Sequence, residues 1–236
     1  MGEQRKFLAD AAHELRTPVT ALRLQLQLLK RSHDEPTRLA ALAELERGIA
    51  RSQRLVEQLM QLGRSDVEGE MTRIQAVHLG DLIRTVVGAM SIKAEHLGID
   101  LGASVSAEIA VHGDESQLTV LLNNLVENAL RYTPAGGLVD VEVLLSNGQP
   151  MLRVVDNGPG IPKSEHGRVF ERFFRGDSAR TMANDQGGVG LGLAITRAIA
   201  ERHQAVVSLH TPVHGSGLEV RVVFFNAHTL PGSAAA

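Results

Sequence analysis

FLADAAHELRTPVTALR, residues 7–23, decides how the first part of this chain folds. Leu8, Ala12, Leu15, Val19, Leu22, Leu26 and Leu29 recur at alternating spacings of four and three. That is the a/d seam of a helix packed lengthwise on another, and it predicts a helix over residues 3–32. Ser32-His33-Asp34-Glu35-Pro36 breaks the pattern. A second seam follows at Leu42, Leu45, Ile49, Ser52, Val56 and Leu59. Two helices joined by a short turn make an antiparallel hairpin. Leu24, Leu28, Leu39, Leu55 and Leu62 widen the apolar stripe beyond what one hairpin can bury. Two hairpins in a four-helix bundle can bury it, so a homodimer is expected.

Beyond the hairpin the periodicity changes. Gly63 to Glu70, GRSDVEGE, is polar with two glycines and reads as a hinge. The expected division is a helical domain over 1–66, a hinge at 67–70 and a second domain over 71–226. The small, polar tail over 227–236 is expected to be disordered. Helices are expected at about 79–97, 115–132 and 190–203, with strands near 99–104, 108–112, 138–145, 151–156, 205–210 and 218–225. This mixed order predicts an α/β sandwich with helices on one face of a sheet, and an α+β chain as a whole. No internal repeat is visible.

Composition sets the bounds. Of 236 residues, 43% are hydrophobic and 22% charged, enough for packed cores and against global disorder. A net charge of -3 gives no reason to expect nucleic-acid binding. Without cysteine there is neither disulfide nor thiolate metal site. No apolar run approaches the ~20 residues that span a bilayer, and no signal peptide is visible.

His13 is the first chemical candidate. Ala12 and Leu15 lie on the seam, so His13 sits just beside it and reaches solvent; Thr17, four residues on, shares its face. A lone histidine on a helix is commonly only a surface residue. Here Glu14 follows at once, and a carboxylate bonded to one ring nitrogen leaves the other free to attack. Pro18 removes the N–H that would bond the carbonyl of Glu14, which predicts a bend. Arg16 is either a phosphate contact or a solvated cation.

Asn124, Asn128, Arg131 and Tyr132 fall at helical spacings within LLNNLVENALRYTP, residues 121–134, with Leu121, Leu122, Leu125 and Ala129 on the buried side. Asparagine is a poor helix former. The segment is either an exposed polar face or a set of neutral oxygen ligands suited to Mg²⁺ and substrate phosphates. Asp156-Asn157-Gly158-Pro159-Gly160-Ile161 follows an apolar strand. Read alone it is a glycine–proline turn. A carboxylate at a strand end can also accept a hydrogen bond from an adenine amino group, with Gly158 and Gly160 letting backbone approach the ring. Gly188, Gly190 and Gly192 precede the apolar helix LAITRAIAE, where a helix N-terminus favours phosphate; the spacing is neither a P-loop nor GxGxxG. Residues 162–187 between them are polar and glycine-bearing, as in a lid. Phe170, Phe173 and Phe174 read as packing, and Arg175 as the better candidate for phosphate contact.

In order, FLADAAHELRTPVTALR, NNLVENALRYTP, DNGPGIP, FERFFRG and GGVGLGLAI resemble the sensor histidine kinases of two-component signalling. The resemblance runs from about Phe7 to Phe224, and the His13 segment is most similar to the QseC or PmrB type within the family. It implies ATP and Mg²⁺ as cofactors, His13 as phosphate acceptor, Glu14 as general base and Thr17 as the residue that positions water for dephosphorylating the partner. It implies Asn128 as metal ligand, Asn124 and Arg131 near the phosphates, Tyr132 over the adenine and Asp156 on its amino group. Gly158, Gly160, Ile161, Arg175, Gly188, Gly190, Leu191, Gly192 and Leu193 complete the implied nucleotide site. The implied partners are a second copy of the chain and the receiver domain of a response regulator. Because most such kinases carry transmembrane helices and a sensor ahead of the His helix, the chain is expected to be a soluble fragment from the cytoplasmic side of a bacterial inner-membrane protein. The sandwich also resembles the gyrase, Hsp90 and mismatch-repair ATPases, which place a catalytic glutamate four residues before the metal-binding asparagine. Here that position is Asn124, so phosphoryl transfer is favoured over an ATP-driven clamp. A dimeric scaffold without kinase activity is the remaining alternative.

Overall fold

A computed structural model of the protein describes residues 2–31, 34–66, 74–106, 108–176, 189–213, 215–225 and 227–229. The chain divides into two compact units, Met1–Arg64 and Ser65–Ala236.

The first unit is a hairpin of two long helices, α1 (Gly2–Arg31) and α2 (Glu35–Asp66). Asp34 starts α2 by accepting the Thr37 N–H at 3.0 Å. Glu35 and Pro36 then fall in the first helical turn, where a missing N–H costs nothing. The chain therefore breaks before Glu35 rather than through Pro36. At its other end α2 continues to Asp66, so Gly63–Asp66 are helical and not hinge; residues 67–70 lie outside the described residues.

The seam also differs from expectation. On α1, Ala11 is buried and Leu15, Pro18, Leu22, Gln25 and Leu29 are half-buried; on α2, Ala41, Gly48 and Leu55 are buried, with Leu45, Ser52 and Leu59 half-buried. The helices come close at Gly48, where a Cβ would lie 2.7 Å from Leu22 Cδ2. Val19, Leu26, Leu42, Ile49 and Val56 point outward and are 41% to 58% exposed, and Ala12 is exposed as well. The expected seam thus merges two stripes. Leu15, Leu22 and Leu29 belong to the packed one, and their valine and leucine neighbours to an apolar face that the hairpin does not cover. The side chains of Leu8 and Leu62 lie outside the described residues.

The second unit is built on a five-stranded sheet in the order β2-β4-β5-β7-β6. These strands are β2 (Asp100–Val105), β4 (Leu138–Ser146), β5 (Gln149–Asp156), β6 (Ala205–His210) and β7 (Leu218–Phe224). Only β2 and β4 pair in parallel. Val139, Val141 and Val143 alternate along β4 and are fully buried, as the period of two requires. Register aligns Val141 and Val143 with Val154 and Leu152 of β5, and those with Val220 and Val222 of β7. This apolar face packs against α3 (Leu79–Leu97), α4 (Glu115–Tyr132) and α5 (Gly192–Arg202). On the opposite face Arg153 pairs with Glu142 and Glu219, and Arg221 donates to Glu219 at 2.7 Å. Burial alone would raise the Glu219 pKa, but the two guanidiniums outweigh it and hold the carboxyl below its usual range.

A second, three-stranded antiparallel sheet runs β1-β3-β8. It comprises β1 (Gln75–His78), β3 (Ile109–Gly113) and β8 (Ala227–Thr229). Neither outer strand is expected from the sequence. β8 corrects the reading of 227–229 as part of a disordered tail: its backbone pairs with β3, Val111 opposite Ala227.

Candidate functional site

The chemistry of the second unit converges where the middle of α4 meets the start of α5. Leu118, Leu121, Leu122, Leu125 and Ala129 bury one side of α4. The 3.6-residue period then puts Asn124 and Asn128 on an adjoining face. Both amides reach Gly192, the first residue of α5. A Cβ there would sit 3.3 Å from Asn128 Nδ2 and 3.5 Å from Asn124 Oδ1. Asn124 is buried and Asn128 half-buried, yet neither amide has a hydrogen-bond partner among the described residues. Neither amide is sealed from solvent, so both stay open to an incoming group at one point beside the start of α5.

The helix end beside them is open in the same way. Leu191, fully buried, occupies the N-cap of α5, and no side chain caps it. The first amides, at Gly192, Leu193 and Ala194, have no acceptor within the helix and favour an anion. Gly190 just upstream has φ 78° and accepts from the Phe173 N–H at 3.0 Å. Phe173 itself has φ 64°, so a strained turn ties the phenylalanine segment to the base of α5. Arg197 stacks over Phe170 and Arg168 over Phe174, which makes these rings packing elements. Part of the expected lid is therefore structured: Lys163–Glu165 form a 3-10 turn. Arg175 is half-buried. Gly188 and the rest of the lid, 177–187, lie outside the described residues.

Asp156 ends β5 on the helix-covered face. It is buried, and its Oδ1 accepts the Gly158 N–H at 2.9 Å and the Leu218 N–H at 3.3 Å. Oδ2 accepts no bond among the described residues. Burial raises the Asp156 pKa, and the two backbone donors only partly oppose it. Gly158 brings this turn to the end of α4, since a Cβ there would lie 2.8 Å from the Tyr132 carbonyl oxygen. Arg131 and Tyr132, both half-buried, stand in the last turn of α4 beside it. Gly160, at φ 71°, passes against Gly217, and the Ile161 carbonyl takes a bond from His166 Nε2 at 3.0 Å.

Gly217 and Leu218 were not among the expected residues. Gly217 has φ 135° and abuts the Asp156 carbonyl, and the next amide orients the Asp156 carboxylate. The Gly215-Ser216-Gly217 stretch before a strand was the available signal, though it reads as an ordinary turn. Asn157 is a further latch, its Oδ1 accepting the Leu138 N–H at 2.9 Å. Glu127, the acidic neighbour of Asn128, pairs with Lys93 of α3 at 3.2 Å and so faces away from the amides.

His13 belongs to the first unit and is described by itself. It is exposed on α1, with Glu14 half-buried and Thr17 exposed. No hydrogen bond joins His13 to Glu14. The Thr17 hydroxyl reaches back to the His13 carbonyl at only 3.5 Å, the outer limit for such a bond. α1 runs on through Pro18, which cannot donate to the Glu14 carbonyl. Imidazole, carboxylate and hydroxyl thus share an accessible stretch of helix. Arg16 is exposed beside them.

Two family models match the chain. Residues 3–68 match the His Kinase A (phospho-acceptor) domain, and residues 113–228 the Histidine kinase-, DNA gyrase B-, and HSP90-like ATPase domain. The chain is 36% identical over 219 residues to the sensor protein kinase PmrB of Pseudomonas aeruginosa, covering 93% of this chain and 45% of that protein. It is 37% identical over 226 residues to the sensor protein QseC of Escherichia coli K12, covering 94% of this chain and 48% of that protein. It spans about half the length of these curated relatives. Among solved structures, full-length ShkA in complex with AMPPNP is 26% identical with a TM-score of 0.68, over 98% of this chain and 48% of that one.

Proposed function

The chain belongs to the sensor histidine kinases, and from that membership we propose that it transfers the γ-phosphoryl group of ATP to His13. The observation that carries this reading is the pair of unpartnered amides, Asn124 and Asn128, against the uncapped start of α5. The adenine amino group donates to Asp156 Oδ2, with Tyr132, Gly158, Gly160 and Ile161 around the ring. The phosphates lie along the Gly190, Leu191, Gly192 and Leu193 backbone, with Gly188 alongside. Asn124 and Arg131 stand beside them, and Arg175 contacts them when the site closes. Asn128 Oδ1 would hold Mg²⁺, which would neutralise phosphate charge when bound with ATP. Most of the rate enhancement is electrostatic positioning.

In the transfer step the free ring nitrogen of His13 attacks the γ-phosphorus in line, the bond to the β-bridging oxygen breaks, and ADP leaves. Glu14 takes the proton from the other ring nitrogen. The phosphoryl group then passes to an aspartate on a response regulator receiver domain. Thr17 positions the water by which the same hairpin dephosphorylates that partner. The protein works as a homodimer, whose second hairpin covers the outward stripe of Val19, Leu26, Leu42, Ile49 and Val56. The domain division is a phosphotransfer domain over 1–66, a linker at 67–70 and an ATP-binding domain from residue 71. The full-length protein is anchored in the bacterial inner membrane with this chain on its cytoplasmic side; no helix among the described residues is long and apolar enough to cross a membrane.

A clamp that hydrolyses ATP is the second reading. It is disfavoured because Asn124 stands where a base is needed and Glu127 is held by Lys93. Incubation with γ-labelled ATP and Mg²⁺ separates the readings. Acid-labile, alkali-stable label that vanishes in His13→Gln, with nucleotide binding kept, is the expected result. Label persisting in His13→Gln removes the acceptor assignment. Free phosphate without labelled protein restores the hydrolase, and binding without label the scaffold.

A further inference from the structure

The amides of Asn124 and Asn128 face Gly192 at one end of two helices whose opposite ends are bridged by His203. α4 starts at Glu115 and α5 ends at Arg202. Between these ends lies the imidazole of His203, with no exposed surface. Its Nε2 accepts the Asp114 N–H at 3.0 Å, so the ring proton is on Nδ1, which donates to the Ile199 carbonyl at 2.8 Å. The backbone of His203 closes α5 through bonds to Ile199 and Ala200. Asp114 opens α4, its Oδ1 accepting the Ser116 and Gln117 N–H groups at 3.0 and 3.2 Å. Gly113 lets the ring in: a Cβ there would lie 2.5 Å from His203 Cδ2.

α4 and α5 therefore run antiparallel, pinned by His203 at one end and bearing the candidate phosphate site about three turns away. We propose that His203 is a positioning residue for Mg-nucleotide binding. It fixes the lengthwise register of α4 on α5, and with it the reach of Asn124 and Asn128 to the amides of Gly192 and Leu193. This rests on the nucleotide reading of that site. A slip of one residue moves a helix by about 1.5 Å, whereas a ligand set tolerates about 0.5 Å. The Nδ1 bond to Ile199 fixes the ring on α5, and the directional Nε2 bond from the Asp114 N–H then ties the start of α4 to that ring, adding to the packing between the helices. At the adenine end the Asp156 carboxylate is oriented by the Gly158 and Leu218 N–H groups, so a shift of α4 reaches adenosine through Tyr132 but reaches the phosphates through both asparagines and the start of α5.

The test uses the whole chain, with Mg-AMPPNP titrated by calorimetry and adenosine by NMR. His203→Asn keeps a donor near Ile199 and removes the acceptor for Asp114. It is expected to weaken Mg-AMPPNP roughly tenfold and to weaken adenosine clearly less. His203→Gln offers an amide oxygen where Nε2 stood but cannot also reach Ile199, so its loss is smaller and again larger for Mg-AMPPNP than for adenosine. If His203→Asn does not fold by circular dichroism, the selective loss in His203→Gln carries the test. Unchanged Mg-AMPPNP affinity, or equal weakening of both ligands, overturns the proposal. Wild-type protein that binds neither ligand removes the nucleotide reading itself, and this one with it. Wild-type binding with insensitive variants removes only the role of His203.

Discussion

His13 and Thr17 stand one helical turn apart, and the proposed division of labour between them can be measured. Thr17→Ala removes a hydroxyl that makes only a 3.5 Å bond in the helix, so the fold should not register the change. Autophosphorylation is expected within about twofold of wild type, while dephosphorylation of the receiver falls roughly a hundredfold, the scale of a lost acid–base or water-orienting group. Equal loss of both activities sinks the assignment. At Gly217 the expectation is the reverse, a structural change with a functional result. Its φ of 135° and its approach to the Asp156 carbonyl leave no room for a Cβ. Gly217→Ala should cost about 2 kcal/mol or more in a denaturation series and weaken adenosine binding as the Leu218 amide leaves Asp156. Unchanged stability would show that the turn relaxes freely. Asn124, Asn128 and Asp156 stand out in the sequence by residue type and spacing, and the structure puts the two amides together beside Gly192 and Asp156 at the end of β5. Gly217 and His203 do not stand out, because their importance lies in partners far along the chain.

At the scale of elements, hydrophobic period reads α3, α4 and the six strands of expected spacing closely. It misses β1 and β8. Their four and three residues are too short to show a period, and their stability comes from pairing with β3. The hairpin fails differently. A heptad count cannot separate a stripe buried within one hairpin from a neighbouring stripe left open, because both alternate by four and three. The α4–α5 clasp carries the pH prediction. Burial pushes the His203 pKa below its ordinary 6.5, with the Ile199 carbonyl and Asp114 opposing and Arg202 assisting. The unfolded chain therefore takes up the proton first. Stability is whole above about pH 6.5 and falls as pH drops toward the lower folded value. Urea midpoints followed by far-ultraviolet circular dichroism should decline between about pH 7 and 5 in wild type and less in His203→Gln. Parallel declines would place the acid sensitivity elsewhere.

The whole molecule keeps its two chemistries in separate units, Met1–Arg64 and Ser65–Ala236, so damage to one should spare the other. Val56→Glu puts a charge on the outward stripe, where Val56 is 43% exposed. It is expected to reduce the light-scattering mass from dimer to monomer at micromolar concentration while Mg-AMPPNP affinity stays within about twofold. A dimer that survives places the contact on another face. The pairing of β8 with β3 bears on how the chain is made. β3 leads directly into Asp114 and α4, yet its outer partner β8 is synthesised more than a hundred residues later. The helical hairpin can fold while translation continues. The second unit must wait for β8 to clear the ribosome before its three-stranded sheet is complete.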